Sequence, residues 1–175
     1  MGGINILFYK KIVTENSLEW LVMIHGFCGN NGMWKNQIKL FQNRYNILLI
    51  DLPGHGSSKL GLSDLGISCF KELGGEIAEI LKKEGIKKAD FIGASLGTMV
   101  IGGVLQSNPE CVNKIILADA VIVANPISRF LLKIVEKVQY FIPFRVILYL
   151  GNFILMPFPY IRDLAVQKFY IKSGT

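Results

Sequence analysis

Histidine is scarce in this chain: its 175 residues hold only His25 and His55. Cysteine is nearly as sparse. Cys28, Cys69 and Cys111 are odd in number and share no ligand-like spacing, which excludes a disulfide framework and a zinc site of the usual kind. The Gly-rich phosphate-loop pattern is missing as well, so no metal or organic cofactor is expected. No run reaches the roughly 18 apolar residues of a membrane span. The longest candidate, VILYLGNFILMPFPYI (146–161), is broken by Pro157 and Pro159. The start, MGGINILFYKK, lacks a signal peptide's charged head and cleavage site, and Ile6 stands where myristoylation needs Ser or Thr. A cytoplasmic location is the expectation. Repeated basic-aromatic patterns are absent too, which argues against nucleic acid as a partner.

What is present is enough for one domain with a sizeable core, since 51% of the residues are apolar. The net charge of +6 is uneven: up to Val123 there are 12 basic and 11 acidic residues, and from Ala124 onward 7 basic and 2 acidic. The basic tail reads as helical with a solvated face. Contact with a membrane surface is the alternative. Oligomeric state is not legible.

Short apolar runs alternate with amphipathic stretches, the pattern of an α/β fold with a mostly parallel sheet. LEWLVMIH (18–25), YNILLID (45–51), ADFIGAS (89–95) and VNKIILAD (112–119) read as buried strands, and INILFYKKIV (4–13) as an initial strand or hairpin. Helices are expected near 33–42, 69–84 and 96–106. In the second, Ile77, Ile80 and Leu81 make an inner face, Lys82, Lys83 and Glu84 face outward, and Gly85 is a C-terminal cap. Gly74 and Gly75 inside it have no local reason. After Val123 the strand pattern stops, and Phe130, Ile134 and Val138 recur four apart.

Gly93-Ala94-Ser95-Leu96-Gly97 fits G-x-S-x-G between a strand and a helix. Glycines at both ends allow a turn tight enough to expose a serine hydroxyl, at the cost of an unfavourable serine backbone. HGFCGN (25–30) follows the first buried strand, and its backbone offers a second N–H beside that of Leu96. DLPGHGSS (51–58) follows the next strand as a rigid turn, in which Asp51 and His55 read as structural. Cys28 reads as a small packed thiol.

H-G-F-x-G, D-x-P-G-H-G-x-S and G-x-S-x-G, each after successive strands, resemble the α/β-hydrolase superfamily, and within it the single-cap esterases, enol-lactonases and C–C hydrolases. The resemblance covers roughly residues 4 to 123. It implies a hydrolase core over 1–123 and the start of a helical cap over 124–175. It also implies Ser95 as nucleophile, with the Phe27 and Leu96 N–H groups as oxyanion hole and His25, Gly26, Gly93 and Gly97 as motif support. Asp119 stands where some members place the acid, although a polar residue there more often supports the pocket. The family's order is Ser…Asp/Glu…His, yet both histidines precede Ser95, so the sequence reads as an N-terminal portion without its acid and base, nearly inactive by itself. The expected partner is a small apolar ester, lactone or related acyl compound. A non-catalytic binding protein on the same scaffold is the alternative.

Overall fold

A computed structural model describes residues 7–27, 29–58 and 70–120. The chain divides into two units, Met1–Val121 and Ile122–Thr175, and every described residue belongs to the first. The cap expected over 124–175 therefore lies outside the described residues, as do Cys28 and Cys69.

Five strands form one sheet: β1 (Phe8–Ile12), β2 (Trp20–Ile24), β3 (Asn46–Asp51), β4 (Ala89–Ala94) and β5 (Val112–Ala118). Their order is β1-β3-β2-β4-β5. Only β1 runs antiparallel, against β3; the other pairs are parallel. Among the described residues three α-helices connect them: α1 (Lys35–Phe41), α2 (Phe70–Lys83) and α3 (Leu96–Ser107).

The unbroken apolar runs in β2, β3 and β4 exist because both faces of the sheet are covered. Alternate residues sort by face. Val22, Ile24, Leu48, Ile50 and Phe91 pack with Leu73, Ile77, Val100 and Ile101 of α2 and α3. Leu21, Met23, Ile47, Leu49 and Ile92 pack with Trp34, and against them lie Ile38 and Phe41 of α1. Each fully buried aliphatic side chain contributes about 1.5–3 kcal/mol of burial. A one-residue slip of β2 would exchange the two sets, so the register is strongly fixed. β5, expected to be a buried strand, is not buried: among the described residues it is the edge of the sheet, and Ile115, Ile116 and Leu117 stay 41%, 56% and 41% exposed.

The pair Gly74 and Gly103 explains how α2 and α3 meet. A Cβ on Gly74 would collide with the backbone of Gly103, and one on Gly103 with the Phe70 carbonyl. Backbone thus touches backbone, and the closeness offsets the roughly 1 kcal/mol that each helical glycine costs. Gly75 faces open space, and nothing in the structure explains it. Gly85 ends α2 as expected. At φ +71° it donates its N–H to Lys82 O (3.1 Å), and Ile86 N–H reaches Leu81 O (2.8 Å), a Schellman closure.

Two local expectations are corrected. The helix expected from 33 begins instead as a 3-10 turn, Asn31–Trp34. The Asn30 side chain accepts the Gly32 N–H at 2.8 Å and tightens the chain before α1 starts at Lys35. Glu84 does not simply face water. It accepts the Tyr9 hydroxyl at 2.6 Å and pairs with Lys11, tying the end of α2 to β1.

Candidate active site

β2 is flanked by β3 on one side and β4 on the other. The connection leaving β2 carries α1 over one face, while the one leaving β4 carries α3 over the opposite face. Such a reversal opens a crevice at the carboxyl ends of the two strands, the usual ligand position in open α/β sheets. The loops at that point are His25-Gly26-Phe27 after β2 and Ser95-Leu96 after β4.

Ser95 sits between β4 and α3 with φ +47° and ψ −111°. That conformation is costly for a residue with a Cβ, on the order of 1–3 kcal/mol. A serine before a helix normally turns its hydroxyl back to cap the first turn. Here the Ser95 side chain makes no capping bond, and among the described residues its Oγ has no hydrogen-bond partner. The backbone around it is held instead: Ser95 N–H donates to Ala118 O at 2.9 Å, and Ser95 O accepts the Thr98 N–H (2.9 Å) and the Thr98 hydroxyl (2.6 Å).

Close approach explains the flanking glycines. A Cβ on Gly97 would strike the carbonyls of Ile24 and His25 at the end of β2, and one on Gly93 would come within 2.8 Å of Gly97. A Cβ on Gly26 would lie 3.1 Å from Ala94 O and 3.3 Å from Ser95 Cβ. The loop after β2 therefore lies directly against the serine turn. Leu96, first residue of α3, carries one of the four N–H groups that a helix leaves without an internal acceptor. Phe27 follows Gly26 and is 47% exposed, its ring edge-on to His55 at 5.7 Å.

The polar residues of the neighbouring loops are engaged. His25 is fully buried; its Nδ1–H donates to Gly26 O at 2.7 Å, and its Nε2 accepts the Leu52 N–H at 2.9 Å. Burial lowers its pKa from 6.5 to about 4, more than Asp51, 4.0 Å from Nε2, can offset. The ring is neutral near pH 7, so that approach is not an ion pair. His55 is buried with Nδ1 2.8 Å from Pro53 O, and burial lowers its pKa as well. The Asp51 carboxylate accepts the Asn31 N–H (2.7 Å) and the Ser57 N–H (3.0 Å), and its backbone oxygen accepts the Ser58 hydroxyl (2.6 Å). It thereby joins the loops after β2 and β3. Pattern does not single out Asn31 and Ser57, since each enters mainly through its backbone N–H, Asn31 adding a longer side-chain bond to Asp51 at 3.3 Å.

Asp119 directly follows β5 at φ +53°, exposed, one residue beyond the carbonyl that holds the Ser95 N–H. The thiol of Cys111 is buried, 3.0 Å from Asn108 O. Among the described residues no group of three or more His, Cys, Asp or Glu could hold a metal ion.

Comparison with known proteins agrees with this fold. A pimeloyl-[acyl-carrier protein] methyl ester esterase of Yersinia pestis is 31% identical over 100 residues, covering 57% of this chain and 36% of that protein. The chain thus spans little more than a third of that relative's length. A hydrolase from Pseudomonas aeruginosa PA01 superimposes with a TM-score of 0.69 at 21% identity, over 90% of this chain and 60% of that one. The enol-lactonase from Burkholderia xenovorans LB400 gives 0.55 at 21% identity, over 62% and 41%. A family profile described as alpha/beta hydrolase fold matches residues 19–148, and the chain belongs to that family.

Proposed function

We propose that this chain carries the nucleophile and oxyanion site of a serine hydrolase acting on a carboxylic ester, lactone or related acyl compound. The observation that carries the reading is the Ser95 turn. Its backbone is strained, its hydroxyl is withheld from the capping bond such a position normally makes, and glycines press it against the loop after β2. The name of the Yersinia esterase supports an ester substrate.

In this reading Ser95 Oγ attacks the substrate carbonyl and gives its proton to a base. The carbonyl oxygen becomes an oxyanion held by the N–H groups of Phe27 and Leu96. Collapse expels the alcohol and leaves an acyl-enzyme, which water then hydrolyses. His25 does not serve as the base, because both ring nitrogens are committed and protonation would set Nε2–H against the Leu52 N–H. His55 is buried beside Pro53 O in the neighbouring loop. Neither histidine is therefore assigned as the base, and Asp119 is assigned to the wall of the site.

The test uses the whole protein. Ser95→Ala removes labelling by a fluorophosphonate probe and lowers turnover of p-nitrophenyl butyrate by roughly 10³-fold or more. Labelling of the variant equal to that of the parent overturns the assignment.

A further inference from the structure

We propose that the groove between α1 and the edge strand β1 binds a small amphiphilic anion, an alkyl phosphate, at residues the proposed hydrolysis does not use. The groove arises from uneven coverage of the sheet. Two helices cover one face, whereas among the described residues only the 3-10 turn at Trp34 and the seven-residue α1 pack on the other. Beyond it a groove of about 380 Å³ is floored by Ile12, Ile38 and Leu49 and rimmed by Lys10, Lys35 and Lys39.

The lysines carry the argument. Lys11, Lys82 and Lys114 each have a carboxylate partner. Lys10, Lys35 and Lys39 have none among the described residues, and no acidic side chain lines the groove. Adjacent residues of β1 show the contrast: Lys11 turns to Glu84 on the α2 side, and Lys10 turns to the groove. Asp51, bonded to Asn31 at the end of the groove, is buried and already accepts the N–H groups of Asn31 and Ser57.

Three cations around an apolar floor select a ligand with an anionic head and an alkyl tail. A phosphate monoester matches best, since its charge approaches −2 and lysine binds phosphate as a point charge. The volume lies at the low end of the roughly 300–1,000 Å³ of small-molecule sites, which fits a head group with a short chain.

Titration of the full chain with hexyl phosphate at low ionic strength, followed by amide NMR, tests this. Saturable shifts are expected at Lys10, Ile12, Lys35 and Ile38, with affinity about tenfold above that for inorganic phosphate or hexanol. The triple variant Lys10→Gln/Lys35→Gln/Lys39→Gln, altered only at exposed positions, should lose about tenfold. Flotation with vesicles containing phosphatidic acid, lost in the triple variant, would assign the phosphate to a lipid; binding of hexyl phosphate without flotation would assign it to a free ester. No saturable binding of hexyl phosphate, or equal binding by the triple variant, overturns the proposal.

Discussion

Two polar clusters stand side by side at the carboxyl end of the sheet, and they are built in opposite ways. In the loops after β2 and β3, His25 uses both ring nitrogens and Asp51 both carboxylate oxygens, all within a buried shell. At the end of β4, Ser95 keeps a strained backbone and, among the described residues, an uncommitted hydroxyl in a partly open setting. Satisfied groups hold loops in place, and in the proposed function the unsatisfied one is the group that reacts. Residue type alone does not separate the two roles, since histidine and aspartate are the commoner catalytic names. Hydrogen-bond accounting does.

The largest expected effect on stability lies where the clusters touch. Gly97→Ala pushes a methyl group into the Ile24 and His25 carbonyls, so a loss of about 3 kcal/mol or more is expected in urea unfolding. A near-neutral result would mean that the two loops are not pressed together.

Next comes the pH response of the satisfied cluster. His25 titrates at about 4 when folded against an ordinary 6.5, so between those values the unfolded chain binds more protons. Stability is then complete above about pH 6.5 and declines by about 3 kcal/mol as pH falls toward 4. His55, shifted in the same direction, steepens the decline. In His25→Gln the slope should shrink, and an unchanged slope would place the titration elsewhere.

The smallest effect isolates the strain at the serine. Ser95→Gly should raise stability by about 1 kcal/mol, because glycine accepts positive φ without penalty, while Ser95→Ala should not. Equal melting temperatures for parent, glycine and alanine forms would remove strain from the comparison.

Much of the fold was legible because burial on both faces writes itself as apolar runs. The buried runs at 18–25, 45–51 and 89–95 each contain a strand, 112–119 contains the exposed β5, and Gly85 ends α2 by a rule local enough to read from order alone. Gly74 was illegible because its reason is Gly103 on another helix. The roles of His25 and Asp51 depend on the backbone N–H groups of Leu52, Asn31 and Ser57, which strand pairing brings near. At the site, the glycines around Ser95 announced the tight turn, but the withheld capping bond needed coordinates. The groove at α1 joins a strand and a helix far apart in sequence and left no motif.

The bond from Ser95 N–H to Ala118 O makes the serine amide part of the β4–β5 ladder. A loop anchored that way has no private opening motion: its amide proton leaves only when the strand ends separate. In deuterated solvent Ser95 should therefore exchange on the slow clock of the sheet rather than the fast clock of surface turns. One resonance would then report whether the site is assembled, with no substrate present.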